Sequence, residues 1–340
     1  MAAWGSSTSV SSRRAPLTWA LVVCLLGLLL SSAVFAQNND PVQVVPLEKA
    51  SAGRDQLGLT LHTRPLRIDV NMVLVPVTAI DAMNHPVTSL EQQSFMLFEG
   101  EQRQRIEFFA HEDGPISLGV LLDLSKSMLN KIDMAKRAVA EFFATAHPDD
   151  DYFVITFDDA PHLLSDATRS PNTLLARLAQ VKPQGHTALL DAIYLGVHKL
   201  RTARYQRRAL LIISDGGDNH SRYDAGEIKR LVQESDVQIY GIGIYDTIFK
   251  SPEEWAGNRL LTTISEATGG RTIALHSPQQ LPAIAAAVGW ELRNQYVLGY
   301  RPSNPAHDGK WRNIKVQLAP AATPPELHLH YKRGYLAPTG

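Results

Sequence analysis

The chain has 340 residues, 44% hydrophobic and 20% charged, with 33 lysines and arginines against 34 acids. That length and balance suit a globular protein of one to three domains with a sizeable core, and they exclude a chain that is disordered throughout. The net charge of −1 leaves no basic footprint for nucleic acid, and the single cysteine, Cys24, excludes a disulfide framework.

Arg13 and Arg14 precede an apolar stretch of 14 residues, Leu17 to Leu30. Small residues follow, with Val34 and Ala36 at the cleavage positions before Gln37. Residues 1–36 therefore read as an export signal, and the stretch is short for a membrane span. If it stays uncleaved, the same segment is an N-terminal membrane anchor. Its removal takes away two arginines, no acid and the only cysteine, which moves the net charge from −1 to −3. The expected location is outside the cytoplasm, periplasmic or secreted.

Residues 37–63 are polar and weakly patterned, a linker. From Leu66 to Leu74 apolar residues alternate with polar ones, the pattern of a half-buried strand, and Pro76 limits that strand to an edge or a bulge. "AMNHPV" (82–87) is turn chemistry, and "SFMLFEGEQRQRIEFFA" (94–110) reads as a strand pair reversing at Glu99-Gly100-Glu101. Residues 64–112 are thus a small β segment.

From Ile116 the rhythm changes. Apolar strands are expected at 118–122, 152–157, 209–213, 237–244 and near 271–274. Helical spacing runs from Met128 through Ile132, Ala135, Val139, Phe142 and Phe143, again from about Ala188 to Leu200, and around Glu227 to Gln233. "SPEE" (251–254) has the form of a capping box with proline at the first helical position. Alternating strands and helices predict a doubly wound, mainly parallel sheet over residues 116–292, of Rossmann-like α/β class. β character returns in "NQYVLGYRP", "KWRNIKVQLAP" and "LHLHYKRGYL". Neither 64–112 nor 293–340 buries a convincing core alone, so the two are expected to pair into one small flanking β domain.

Three polar constellations fall where predicted strands end or a loop enters a helix, the side of an open α/β sheet that binds ligands. They are "GVLLDLSKSM" (119–128), with Asp123, Ser125 and Ser127; "GHTALLDAI" (185–193), with Thr187 at its mouth; and "LLIISDGGDN" (210–219), with Asp215 ahead of two glycines. Two carboxylates and three hydroxyls are all hard oxygen donors, which select Mg²⁺ first, then Mn²⁺ or Ca²⁺. The plain alternative is that Asp123 only ends a strand and Ser127 only caps the next helix.

The conjunction of Asp-x-Ser-x-Ser, Thr before "ALLDAI" and "SDG" resembles the von Willebrand factor type A domain. The flanking "FMLFEGEQRQRIEFF" and "YVLGYRP…GKWRNIKV…KRGYLAP" are similar to a bacterial group of such proteins described from Acidobacteria. The resemblance implies a metal-ion-dependent adhesion site in which Ser125, Ser127 and Thr187 contact the cation, while Asp123 and Asp215 reach it directly or through water. It implies a protein partner that offers an Asp or Glu to the metal. His186 departs from the pattern, standing where a second glycine is common.

An enzyme is the competing class, as a metal-dependent hydrolase acting outside the cytoplasm. The sequence speaks against it: Ser125 stands where a haloacid-dehalogenase-like phosphatase needs a second acid, no Gly-x-Ser-x-Gly elbow is present, and "GIGIYD" (241–246) lacks the third glycine of a dinucleotide loop. His328 and His330 share a strand face and read as a solvent-facing pair. Asp191 reads as a brace one turn after Thr187, and Trp311 and Tyr335 as core of the small domain.

Overall fold

A computed structural model describes residues 72–112, 114–215, 217–245, 252–320 and 327–339. The expected export signal, the linker, the alternation from Leu66 to Asn71 and Ser251 of the capping box lie outside the described residues.

The first strand among the described residues is β1 (Val73–Ile80). After it come β2 (Phe95–Glu99), β3 (Gln102–Gln104) and β4 (Phe108–Glu112). The hairpin between β2 and β3 turns at Gly100, whose φ of +58° suits glycine. β1 is an inner strand, which corrects the edge expected from Pro76. The physical reason is local. β1 pairs with its C-terminal partner on one side from Val73 to Val77, and gains its second neighbour only from Val77 to Ile80. Pro76, which has no N–H to donate, lies in the half that has one neighbour.

The alternating part begins with β5 (Ser117–Asp123), buried at every position. A short 3₁₀ turn at Lys126–Asn130 leads into α1 (Ile132–Ala144), so the helix starts later than its first apolar residue, Met128. Then come β6 (Asp151–Phe157), β7 (Pro161–Thr168), α2 (Pro171–Leu178), α3 (Leu189–Arg201), β8 (Arg208–Ser214), α4 (Ala225–Glu234), β9 (Gln238–Ile244), α5 (Pro252–Thr268), β10 (Thr272–Leu275) and α6 (Leu281–Arg293). The six strands form one sheet in the order β10-β9-β8-β5-β6-β7. All neighbours are parallel except β7, which runs antiparallel at the edge and carries register shifts against β6. Helices cover both faces. Leu118, Val120 and Leu122 of β5 join Val139, Phe142, Val288 and Leu292 on one side. Leu121 meets Ile155, Ile193, Val197 and Leu210 on the other. A strand apolar on both faces is what a helix-covered parallel sheet requires. The fold is a doubly wound, mainly parallel α/β sheet.

The chain closes with β11 (Gln295–Tyr300), β12 (Trp311–Leu318), β13 (His328–Tyr331) and β14 (Gly334–Leu336). These interleave with the first four strands. One antiparallel sheet has the order β13-β1-β11-β4, the other β14-β12-β2-β3. Val75, Val77, Tyr296, Leu298 and Tyr300 of the first share an apolar core with Phe95, Leu97, Ile314 and Val316 of the second. The two passages between these sheets and the α/β layer lie side by side. The Arg207 guanidinium donates at 2.7 Å to the carbonyls of Gly114 and of Leu292, one on each passage. Arg293 donates to the same Gly114 carbonyl and pairs with buried Asp150, whose other oxygen accepts from the Ile116 N–H.

Trp311 is half-buried, with its indole N–H on Asn313. Tyr335 packs against the core shared by the two sheets and donates to Glu99. His328 is exposed, but His330 is half-buried, which corrects the reading of both as solvent-facing. Among the described residues no helix is long and apolar enough to cross a membrane.

Candidate metal centre

The strand order reverses direction between β5 and β8, because the chain moves outward from β5 through β6 and β7 and then returns to β5's other side. At such a switch point the loops leaving the two central strands diverge and open a crevice. Asp123 is the last residue of β5, and Asp215 follows the last residue of β8. Both are buried, at 0% and 1% exposure, so two carboxylates sit at the bottom of the crevice with almost no solvent to support their charge.

A continuous chain of hydrogen bonds joins them to the serines. Asp123 Oδ2 accepts from the Ser214 hydroxyl at 2.5 Å, and Oδ1 accepts from the Ser125 N–H at 2.8 Å. The Ser125 and Ser127 hydroxyls lie 2.9 Å apart, and Ser127 donates to Asp215 Oδ1 at 2.7 Å. Ser127 therefore faces the crevice, and no side chain caps the 3₁₀ turn, so the capping alternative does not describe it. Burial pushes the Asp123 carboxyl up to about 6; the hydrogen bonds from Ser214 and Ser125 oppose this, and the charge of Asp215 adds to it.

Thr187 is buried on the adjoining loop. Its N–H donates to Asn219 Oδ1 at 2.9 Å, and its carbonyl accepts from the N–H groups of Asn219 and His220. The same loop binds the β5 exit, through Gln184 N–H to the Leu124 carbonyl and Lys126 N–H to the Gly185 carbonyl. Among the described residues no hydrogen bond links the Thr187 hydroxyl to the other four groups. Four of the five candidate residues thus form one bonded network, and the fifth is held against it by its backbone. Asp191, the suspected brace, is one: it accepts from the Arg222 N–H and side chain and from the Tyr223 N–H, pinning the loop before α4. Asp218 caps α3 by accepting from the Leu190 N–H.

Sequence reasoning did not find Lys131. Its ammonium lies 2.5 Å from Asp215 Oδ2 and is mostly buried. The available signal was physical: two buried acids at one switch point call for a positive charge nearby. That charge also tests whether the residues fit a bound cation. A buried, all-oxygen donor set with one pair of carboxylates, already drawing an ammonium to itself, fits a hard divalent ion. Ser214 was missed as well, although it directly precedes Asp215 at the strand end.

Residues 118–217, from β5 to the loop after β8, match the family model described as the von Willebrand factor type A domain. Among solved structures the chain is similar to a von Willebrand factor type A protein from Catenulispora acidiphila, at 11% identity and TM-score 0.47, over 74% of this chain and 74% of that one. It is similar to BatB, a conserved hypothetical protein from Bacteroides thetaiotaomicron, at 18% identity and TM-score 0.43, over 53% of this chain and all of that one. It is also similar to an aerotolerance-related membrane protein from Bacteroides fragilis, at 19% identity and TM-score 0.42, over 53% of this chain and 98% of that one. No curated protein matches the chain.

Proposed function

We propose that the von Willebrand factor type A region of this chain is a protein-binding module, exported from the cytoplasm, that captures an acidic side chain of a partner protein through a Mg²⁺-type cation. The observation that carries the reading is the buried pair Asp123 and Asp215, bridged through Ser125 and Ser127 at the switch point of the sheet. Ser125, Ser127 and Thr187 would hold the cation by their hydroxyls, with Asp123 and Asp215 behind them; Mn²⁺ or Ca²⁺ suits the same donors. A cation bound there supplies positive charge and an open coordination position for an outside carboxylate. The chain's own residues do the rest. Ser214 fixes the Asp123 carboxylate, Asn219 fixes the Thr187 backbone, and the buried surroundings strengthen the attraction between opposite charges. Among the described residues no histidine hydrogen-bonds to Ser125 or Ser127, and the Asp215 carboxylate that accepts from Ser127 is paired with Lys131, so binding rather than turnover is the expected outcome. Residues 1–36 would direct the export, and would tether the chain to a membrane only if uncleaved.

The test has two arms. Mg²⁺ or Mn²⁺ should raise the melting temperature of the wild-type chain, because a ligand held only by the folded state stabilises it, and Asp123→Ala should lose the increment. An equal shift in both proteins removes the site assignment. In the second arm the immobilised chain captures its partner in Mg²⁺ and releases it in EDTA. Thr187→Ala weakens capture, and so does replacing the contacting acid of the partner. Phosphatase, esterase and nuclease assays should stay at background; metal-dependent turnover that Asp123→Ala abolishes would instead make the chain a hydrolase.

A further inference from the structure

The position at which the loop departs from its sequence pattern, His186, belongs to a second cluster. Three loops at the carboxyl ends of the strands contribute to it: Asp159 from the turn between β6 and β7, His186 from the loop before α3, and His220 from the loop after β8. One ligand atom from each lies within 4.8 Å of the other two, and all three side chains are exposed. The two imidazoles stack at 5.0 Å between ring centres with an interplanar angle of 14°. Asp159 Oδ1 accepts from the His186 N–H at 2.8 Å and lies 2.7 Å from its Nδ1. The backbone is shaped to allow this. Gly185 adopts φ +69°, and a Cβ there would stand 2.9 Å from the Asp159 carboxylate, so only glycine lets the acid reach the loop. His220 is held from its own side by its N–H on the Thr187 carbonyl at 3.2 Å.

We propose that Asp159, His186 and His220 form a second metal site, separate from the oxygen-lined crevice and selective for a borderline transition-metal ion such as Zn²⁺. Two imidazoles and one carboxylate are the donors that Zn²⁺, Ni²⁺ and Cu²⁺ prefer and that Mg²⁺ does not. Metal bonds of about 2.0–2.2 Å set tetrahedral ligand atoms roughly 3.3–3.5 Å apart. The hydrogen-bonded Asp159 and His186 atoms, 2.7 Å apart, therefore have to separate slightly around the ion, a change exposed side chains make by rotation. The hydrogen bond from His186 N–H holds Asp159 ionised, its pKa lowered first by that backbone bond and next by the His186 side chain. Three protein ligands leave one position open toward solvent, where water or an outside donor binds. The site shares its backbone with Thr187, on one side by chain continuity from His186 and on the other by the His220 bond. A filled site therefore stiffens the loop that carries Thr187.

The experiment uses the untagged full chain in excess Mg²⁺, so that the oxygen-lined crevice is supplied with its own ion, and titrates Co²⁺ as a visible stand-in for Zn²⁺. The expected result is one equivalent of Co²⁺ with a ligand-field band that Zn²⁺ displaces. His186→Ala and His220→Ala should each weaken binding by at least about tenfold, and Asp159→Asn should do likewise. Asp123→Asn should leave the band unchanged. The replaced side chains are exposed, so circular dichroism should show every cluster variant folded. The proposal is overturned if the wild-type chain binds no Co²⁺ at millimolar metal. It is overturned equally if the His186→Ala/His220→Ala double variant keeps the band, or if Asp123→Asn abolishes it while the histidine variants retain it. None of these outcomes depends on whether the crevice captures an acidic partner.

Discussion

Lys131 is a cation tied to the chain beside the buried acid Asp215. On the proposed reading of the crevice, its ammonium would have to leave or share that carboxylate when a divalent ion enters. Lys131→Met should therefore act in opposite directions on two measurements. Without metal the variant leaves a buried carboxylate unpaired and should lose roughly 3 kcal/mol in urea unfolding. With metal it removes the competitor, and calorimetry should show Mg²⁺ binding about tenfold tighter, a difference of ~1.4 kcal/mol. Unchanged Mg²⁺ affinity would mean that the ammonium does not compete. A second residue makes a separate pH prediction. Burial, with the charges of Arg271, His328 and Arg333 behind it, lowers the His330 pKa from 6.5 to about 4. The unfolded chain takes up its proton near pH 6.5 while the folded chain stays neutral. His330 thus contributes stability that is present above pH 6.5 and lost as the pH falls toward 4. His330→Gln should flatten the fall in urea midpoint across that window; an unaltered fall would place its source elsewhere.

Among the elements, β5 shows how tightly the site is supported. Gly119 lies where a Cβ would come within 2.5 Å of both Leu210 and Phe153, side chains of the strands on either side. Gly119→Ala should cost about 1–3 kcal/mol by overpacking, read from the unfolding midpoint, and on the proposed reading should weaken Mg²⁺ binding because β5 carries Asp123. The strand was legible because an apolar run ending in Asp-x-Ser-x-Ser has one economical reading in an α/β chain. β8 and its Asp215 were legible for the same reason. β7 was not. Its Pro-His-Leu-Leu-Ser-Asp-Ala-Thr has neither alternation nor an apolar run, because it sits half-exposed at the sheet edge and shifts register against β6. α6 escaped notice because Leu-Pro-Ala-Ile-Ala-Ala-Ala-Val is apolar on most of its circumference, which blurs the helical period. Lys131 and the cluster of Asp159, His186 and His220 depend on loops distant in sequence meeting in space, and no local pattern encodes that. The motif did not reveal the hydrogen-bond chain through Ser214 either, since a serine at a strand end has many uses.

At the scale of the whole molecule, the strands from the two ends of the described chain are interdependent. β11 lies between β1 and β4, and β12 lies beside β2. Deleting residues 295–340 should therefore strip residues 73–112 of their partners and expose them to limited proteolysis, while the helix-covered sheet from β5 to α6 resists. Continued protection of 73–112 in the truncated chain would show that the early strands hold without the late ones. The adjacent passages at Gly114 and Leu292, tied by one guanidinium, have a mechanical consequence. A stretch applied between residue 72 and residue 339 pulls on the antiparallel strands at both points and runs through them. The six-stranded sheet lies beside that line of force, joined to it by the two passages and by the bonds of Arg271 to Asn84 and of Lys332 to the Ser235 carbonyl. Tension along the chain should then shear the antiparallel strands before it distorts the crevice, so the loops that carry Asp123, Thr187 and Asp215 keep their geometry while the ends are under strain.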